Sequence, residues 1–353
     1  MAISIKISRT PQSRIHLCDF ENIEFGKIFS DHMFRVDYVD GSWINPSIIP
    51  YGPISIAPSL SAIHYGQSIF EGMKAFKNEA GQAMLFRPIE NARRLNLSAK
   101  RMGMPEIPEE LYMEGLKQLV QLDKDWIPTK DGSALYVRPF MFATDDYVGV
   151  RPSLNYSFMI FCCPVNSYYP KPIRVKIEES YVRASTGMAG FAKAAGNYGI
   201  SMLPSHEAKL EGYDQIIWTD GHSHEYVEES GTTNLFFVVD DKLVLTPKLD
   251  GNILNGITRD TCISLLKDKG YTVEERKIAV SEIIDWCQAG RLSDCFGTGT
   301  AAIIAKIATI GFQGKNYELP EASERVISNF LYKTIYGIQT GKIEDIHHWS
   351  MPL

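Results

Sequence analysis

The chain has 353 residues, of which 44% are hydrophobic and 22% are charged, a balance typical of a soluble globular protein. Its formal net charge is −6. This charge argues against nucleic-acid binding, because phosphate contacts call for an excess of basic residues. The longest apolar runs are too short to cross a bilayer, and we expect no secretory signal peptide. We therefore expect a cytoplasmic protein without a nucleic-acid or membrane partner.

Residues 1–18 are basic and contain no acidic residue, a composition that also occurs in transit peptides. A short strand over residues 3–8 explains them equally well, and we favour the strand. The six cysteines form no CxxC pair, which fits a reducing compartment. The histidines at 222, 224, 347 and 348 lack further ligands at useful spacing, so we expect no metal site.

The first half of the chain mixes strands and helices. Proline at the first helical position and glutamates in a first turn indicate where two helices begin, and these helices are predicted over 88–103 and 108–126. Apolar runs predict strands over 83–87, 134–142 and 156–165. Turn residues and two prolines make 166–172 the best linker candidate in the chain.

The second half of the chain also mixes strands and helices. Strands are predicted over 173–179, 215–219, 234–240, 242–247, 272–280 and 292–297. Helices are predicted over 197–210, 258–270, 281–290 with Ser281 as the cap, and 321–337. This order predicts a two-domain α/β or α+β protein, with a small N-terminal domain over 1–163, a linker over 164–175 and a large C-terminal domain over 176–353.

The stretch GFAKAAGNYG, residues 190–199, surrounds Lys193 with glycine and alanine. Glycine costs roughly 1 kcal/mol relative to alanine inside regular structure, so this composition needs a reason. One interpretation is a flexible surface loop with a solubilising lysine. The other is a surface cleared of side chains, on which a flat ligand lies close to the backbone beside the lysine amine.

Other segments could bind an anion, and each has an ordinary alternative. Gly256 precedes a helix whose first amides, from Ile257 and Thr258, would be unpaired and could face an anion, although most helix starts bind nothing. Arg94 could equally be a solvated charge on a helix face. The GTGT loop that contains Thr300 could be a plain turn.

Two further residues could take part in chemistry. Glu229 stands at a turn of small residues before a strongly apolar strand, where a buried carboxylate would need a cationic partner. A solvated turn residue is an equally good interpretation from the local sequence. Tyr198 could be core packing, or a phenol that reaches the same site as Lys193.

These residues fit together if the flat ligand is pyridoxal phosphate. Its aldehyde takes a lysine amine, and its ring nitrogen needs a carboxylate to remain protonated. Its phosphate needs a helix start, hydroxyl groups and an arginine. Lys193 and Glu229 would meet the first two needs, and the phosphate would be bound by Arg94, Ile257, Thr258 and Thr300.

Six motifs, in the same order and at close spacing, resemble branched-chain amino-acid aminotransferases and, more broadly, the fold-type IV pyridoxal-phosphate enzymes. They are HYGQSIFEGMKAF (64–76), LFRPIENARRL (85–95), LYVRPF (135–140), KAAGNYG (193–199), ESGTTNLFF (229–237) and FGTGTA (296–301). The similarity runs from about Phe25 to the C-terminus. The set is specific, although no single motif is.

The resemblance implies the two-domain fold of that family and a role for each matching residue. Lys193 would hold the cofactor covalently and move the substrate proton, Glu229 would pair with the ring nitrogen, and Tyr198 would bind the phenolic oxygen of the ring. The phosphate would be held by Arg94, the amides of Ile257 and Thr258, and Thr300.

The resemblance also implies the substrate contacts. The amides of Thr300 and Ala301 would receive the α-carboxylate, and Arg138 would meet the distal carboxylate of glutamate. The side-chain pocket would be lined by Phe25, Tyr65, Phe70, Tyr136, Tyr168 and Thr232. The implied reaction is reversible amino transfer between L-leucine, L-isoleucine or L-valine and 2-oxoglutarate, in a homodimer.

Two other activities of the same fold stay open. D-amino-acid aminotransferases usually lack the long region seen here before Tyr65. An aminodeoxychorismate lyase would want a more basic and less aromatic pocket than the one inferred. A non-enzymatic carrier on the same scaffold is a third possibility, which the joint presence of Lys193, Glu229 and Tyr198 disfavours.

Overall fold

The computed structural model describes residues 3–353, which divide into two compact units. The first unit holds residues up to Tyr168, with 192–196 and 337–353, and the second holds 169–191 and 197–336. The sequence analysis assigned Lys193 to the C-terminal domain. In the structure, the short segment that carries this lysine groups with the first unit, because its main chain is hydrogen-bonded to a strand there.

Within residues 3–353 the first unit has one nine-stranded sheet, in the order β1-β3-β2-β8-β7-β5-β6-β18, with β4 also paired to β7. Its strands are β1 Lys6–Ile7, β2 His32–Val39, β3 Ser42–Pro50, β4 Ser68–Phe70, β5 Met73–Lys77, β6 Ala83–Phe86, β7 Ala134–Ala143, β8 Tyr156–Val165 and β18 Ser350–Pro352. The apolar runs predicted as strands over 134–142 and 156–165 form the antiparallel pair β7 and β8 in the middle of the sheet.

Two amphipathic helices cover this sheet. They are α2 Pro88–Arg101 and α3 Glu109–Leu122, and Pro88 occupies the start of α2 as predicted. Leu95 of α2 and Leu116 of α3 belong to the same core cluster as Val137 and Phe158 of the central strands. Burial of these apolar side chains is the main force that fixes α2, and therefore Arg94, against the sheet.

The second unit has a mixed sheet of nine strands among the described residues, in the order β11-β10-β9-β16-β15-β12-β13-β14, with β17 paired to β16 and β11 also paired to β12. Its strands are β9 Ile173–Ile177, β10 Gln215–Thr219, β11 Val227–Ser230, β12 Thr233–Val239, β13 Leu243–Pro247, β14 Thr272–Arg276, β15 Leu292–Gly299, β16 Ile303–Phe312 and β17 Lys315–Glu318. Every residue of β12 is buried, as its apolar sequence predicts.

The remaining helices are α1 Ser61–Tyr65, α4 Gly196–Gly199, α5 Met202–Leu210, α6 Ile257–Asp268, α7 Val280–Gln288 and α8 Val326–Gln339. The prediction that Ser281 caps α7 is wrong. The helix begins one residue earlier, and its N-cap is Ala279, whose amide donates to Glu282 Oε2 at 2.9 Å. The glutamate therefore supplies the capping interaction from inside the first turn.

Over residues 3–353, no helix combines the length and apolar character that a membrane span requires. The same residues contain no group of three or more histidine, cysteine, aspartate or glutamate side chains arranged to bind a metal ion.

Candidate active site

The main chain around Lys193 is fixed on both sides. Phe70 donates its amide to the carbonyl of Lys193 at 3.0 Å, and Ala195 donates to the carbonyl of Ser68 at 2.9 Å, so the segment extends the edge of β4. The amide of Lys193 also donates to Ser98 Oγ on α2 at 2.9 Å. The segment is therefore tied to β4 by an isolated bridge, which favours the interpretation of a fixed surface beside Lys193 over that of a flexible loop.

The side chain of Lys193 lies beside a buried ion pair. Its Nζ is 4.9 Å from the centre of the Phe70 ring. The next residue, Glu71, is fully buried and pairs with Arg94 through Nε–Oε1 at 2.7 Å and Nη2–Oε2 at 2.8 Å. Asn91 adds a hydrogen bond to Glu71 Oε2 at 2.8 Å. Arg94, predicted to hold a phosphate, is thus oriented by a carboxylate that the sequence analysis did not single out.

The charge of Glu71 follows from these contacts. Burial by itself would raise the pKa of this carboxyl, but the Arg94 guanidinium, Lys193 and the hydrogen bond from Asn91 together hold the pKa below its usual range. Glu71 is therefore ionised at neutral pH. It places a fixed negative charge between two cations that the sequence analysis assigned to cofactor binding.

Aromatic side chains of the first unit form one connected cluster. The Phe25 ring meets the rings of Tyr136 and Tyr168 edge to face, with centroids 5.2 and 5.3 Å apart. Arg138 donates from Nη2 to Tyr136 Oη at 2.9 Å, and its guanidinium lies 4.6 Å from the Phe70 ring centre. Five predicted pocket residues are therefore brought together.

Gly72 and Tyr65 are two further residues of the motifs that form this part of the site. A Cβ at Gly72 would overlap the Tyr136 hydroxyl, so the glycine of the FEG sequence leaves room for that phenol. Tyr65, the remaining pocket candidate of this unit, is 41% exposed and ends the short helix α1.

In the second unit, Glu229 is a buried carboxylate with several fixed partners. Its Oε2 is 3.3 Å from Arg183 Nε, with both side chains less than a tenth exposed. Its Oε1 accepts hydrogen bonds from the amide of Leu254 at 2.6 Å and from Asn234 Nδ2 at 3.3 Å. The structure thus supplies the cationic partner that the sequence analysis required for a buried Glu229, and the solvated alternative is wrong.

Asn234 joins Glu229 to the predicted phosphate residues. It pairs across the sheet with Glu229 on one side and with Thr298 of β15 on the other. A Cβ at Gly256, the residue before α6, would overlap Asn234 Oδ1. Glu229, the start of α6 and the end of β15 therefore meet around one asparagine.

The start of α6 has the properties of an anion site. Gly256 is the N-cap in an extended conformation, and as a glycine it offers no side chain to cap the helix. Ile257 and Thr258 are half-buried first-turn residues, and the turn after β15 carries half-buried Thr300 and Ala301. Helix N-terminal amides with adjacent hydroxyl groups favour a phosphate.

Tyr198 and Thr232 differ in burial. Tyr198 is half-buried on α4, in a segment held by a 2.8 Å hydrogen bond from Asn197 Nδ2 to the carbonyl of Ala189. Thr232 is exposed in the turn between β11 and β12.

Pyridoxal phosphate fits these residues chemically. A half-buried lysine, a buried carboxylate fixed by an arginine, and a helix that starts at a glycine are the groups that its aldehyde, ring nitrogen and phosphate require. A Cβ at Gly196 or Gly199 would meet no atom of residues 3–353 within 4 Å, so there is open space beside both glycines.

The comparisons with known proteins give one consistent result. Residues 68–310 match the family described as amino-transferase class IV. The chain is 44% identical over 338 residues to a branched-chain-amino-acid transaminase 1 of Bacillus subtilis, covering 94% of this chain and 95% of that protein. It is 42% identical over 340 residues to a branched-chain-amino-acid aminotransferase of Mycolicibacterium smegmatis, covering 94% and 92%.

Solved structures resemble the fold over most of its length. A branched-chain aminotransferase of Thermoproteus uzoniensis with norvaline superposes with a TM-score of 0.75 at 26% identity, covering 90% of this chain and 99% of that one. A branched-chain amino acid aminotransferase of Escherichia coli gives a TM-score of 0.72 at 26% identity, covering 90% and 98%. The predicted fold class, a fold-type IV arrangement of α/β character, is confirmed.

Proposed function

Because the chain belongs to the amino-transferase class IV family, we propose that it is a branched-chain amino-acid aminotransferase that uses pyridoxal phosphate. It transfers the amino group between L-leucine, L-isoleucine or L-valine and 2-oxoglutarate, reversibly. The observation that carries the proposal is the buried Glu229 carboxylate, fixed by Arg183 and by the amide of Leu254. A carboxylate held in this way can keep a bound pyridine nitrogen protonated.

The cofactor, when bound, supplies a protonated ring that withdraws electrons from the substrate Cα. Lys193 provides the amine that holds the cofactor and then carries the proton to and from the substrate Cα. Glu229 keeps the proton on the ring nitrogen, and Tyr198 donates to the phenolic oxygen. Arg94, the amides of Ile257 and Thr258, and Thr300 bind the phosphate.

The substrate is oriented by its carboxylates. The amides of Thr300 and Ala301 bind the α-carboxylate, and Arg138 binds the distal carboxylate of 2-oxoglutarate. Aromatic walls with hydroxyl tips, together with the exposed Tyr65 and Thr232, accept the branched side chain. Apolar walls separate substrates that differ by one methylene by only about 1–3 kcal/mol, so all three branched amino acids should react.

The assembly and its location are also part of the proposal. We propose a cytoplasmic homodimer, as the family resemblance implies. Large apolar side chains exposed on residues 147–154, among them Val148 at 67% and Val150 at 89%, support a partner surface on the first unit. Sedimentation of the purified protein would measure the oligomer size.

The test of this proposal is hydride trapping followed by a substrate panel. Borohydride should make the cofactor–lysine bond permanent, and peptide mass spectrometry should place the added mass on the peptide that contains Lys193. L-leucine with 2-oxoglutarate should then give L-glutamate. Lys193→Ala should abolish transfer, whereas Lys171→Ala, a change at an exposed lysine, should not.

Two results would contradict the proposal. A mass increase on another peptide would show that the lysine is misassigned. Activity with D-alanine and none with L-leucine would favour a D-amino-acid aminotransferase of the same fold.

A further inference from the structure

Glu228, the neighbour of Glu229 in β11, is a second buried carboxylate in the same strand. The residue is 4% exposed, and its Oε1 accepts a hydrogen bond from Asn252 Nδ2 at 2.9 Å. Among the described residues, neither Glu228 Oε2 nor Asn252 Oδ1 has a hydrogen-bond partner. A proton on Oε2 would supply the donor that this pair of side chains lacks.

Glu228 and Glu229 are linked around the strand through Arg183 and Asn252. Successive residues of a strand point to opposite faces, so the two carboxylates do not share a face. Arg183 donates from Nη2 to the carbonyl of Asn252, the same residue that binds Glu228, and its Nε pairs with Glu229 at 3.3 Å. A Cβ at Gly190 would overlap that Asn252 carbonyl, so the main chain at residue 190 packs closely against the carbonyl.

A cavity of about 100 Å³ adjoins Glu228 and Asn252 and gives the carboxyl group a route to water. The other ionisable side chains that line it are Asp220, His222, Tyr226, Lys248, Asp250 and Lys277. Asp220 is held by backbone amides of its own turn, and Lys277 lies 4.8 Å from the centre of the Tyr226 ring. These groups, with Arg183 and Glu229, are the ionisable groups around Glu228, and Arg183, Asp250 and Glu229 act on its charge.

The balance of these charges places the titration of Glu228 near neutrality. Burial raises the pKa of Glu228 to about 7, in spite of the hydrogen bond from Asn252 and the charge of Arg183. Asp250 and Glu229 raise the pKa further through like-charge repulsion. Glu228 is therefore mostly neutral at pH 6 and mostly ionised at pH 8.5.

We propose that Glu228 is a positioning residue for Glu229. When Glu228 ionises, the site binds a protonated ring nitrogen more tightly. The inference rests on the proposed role of Glu229 at that nitrogen. When Glu228 is neutral, Arg183 balances the charge of Glu229 alone. When Glu228 is ionised, its charge also attracts Arg183, and more of the negative charge of Glu229 is available to the ring.

The test measures the dissociation constant of pyridoxal phosphate from the holoenzyme between pH 6 and pH 8.5, by equilibrium dialysis. Glu228→Gln keeps the hydrogen bond from Asn252 and removes the charge. The variant should match the wild type at pH 6 and release the cofactor about threefold to tenfold more easily at pH 8.5, as expected for the loss of one charge near Glu229. Glu225→Gln, the same change at an exposed residue, should match the wild type throughout.

A second variant keeps the test decisive if Glu228→Gln does not fold. Asp250→Asn can still accept the amide of Asn252 but removes one of the repulsive charges. It should lower the pH at which the cofactor affinity changes. If Glu228→Gln changed the dissociation constant by the same factor at every pH, the role of Glu228 would be purely structural and the inference would be overturned. The inference would also be overturned if Glu228→Gln had no effect at pH 8.5, or if Asp250→Asn left the pH dependence of the dissociation constant unchanged. Failure of the wild type to bind pyridoxal phosphate would instead overturn the proposed function.

Discussion

Arg94 and Glu71 form a doubly bonded ion pair in the core of the first unit, with contacts of 2.7 and 2.8 Å and side chains that are 10% and 0% exposed. The pair connects α2, the helix that begins at Pro88, with the segment that follows β4. It fixes Arg94 at a defined place before any ligand is bound.

Arg94→Met should destabilise the fold by about 3–5 kcal/mol at pH 7, because it leaves a buried carboxylate without its cation. Urea unfolding measures this loss. Arg93→Met, a change at the exposed neighbour on the same helix, should leave the free energy of unfolding nearly unchanged. Equal effects of the two changes would contradict a special role for the buried pair.

The destabilisation caused by Arg94→Met should depend on pH. The pKa of Glu71 in the folded protein lies below its ordinary value of 4.5, so the ionised form contributes stability above that value, and this contribution is lost as the pH falls through the lower folded pKa. The difference between the wild type and Arg94→Met should therefore shrink in acid below pH 4.5. A difference that grew in acid would refute the assigned charge of Glu71.

Arg138→Met should affect the two substrates unequally. It removes the guanidinium that lies on Phe70 and bonds Tyr136. Loss of a charged hydrogen bond to a carboxylate is worth about 1.5–3 kcal/mol, so the KM for 2-oxoglutarate should rise roughly tenfold or more, while that for L-leucine changes little. Steady-state kinetics with each substrate varied in turn measures this, and Arg138→Lys should recover only part of the loss because it lacks the planar fork. Parallel increases for both substrates would remove Arg138 from its assigned role.

Gly256→Ala should weaken both the fold and cofactor binding. The backbone at this glycine suits alanine, but the new methyl group would overlap Asn234 Oδ1 and so disturb the residue that donates to Glu229. Overpacking of this kind costs about 1–3 kcal/mol. Thermal unfolding and cofactor dissociation measure the two effects. Gly52→Ala, where a Cβ meets no described atom within 4 Å, is the matched control.

The sequence predicted the elements whose signals are local. Proline at the start of α2 and the apolar runs of β7, β8 and β12 are such signals, and all four elements lie where they were expected. The resemblance to branched-chain aminotransferases is confirmed by the full-length relatives. Ser281 was assigned as a cap because its residue type is typical of caps. The helix starts earlier, where the amide of Ala279 donates to the Glu282 side chain.

The residues that orient the site were not predicted, because their partners lie far away in the chain. Glu71 is 23 residues from Arg94, and Arg183 is 46 residues from Glu229. Glu71 stands inside a motif that carried the resemblance, and that position was its only local signal. Nothing in the sequence near Arg183 indicates that it pairs with the buried carboxylate of Glu229. The roles assigned to the individual cofactor and substrate residues stay predictions.

The pairing of β18 with β6 has a consequence for synthesis on the ribosome. Residues 350–352 complete the edge of a sheet whose other strands are translated before residue 166. The growing chain must therefore carry an open β6 edge while residues 166–349 are made. A nascent chain halted anywhere in that interval would present an unpaired strand, which is the feature that molecular chaperones have to shield.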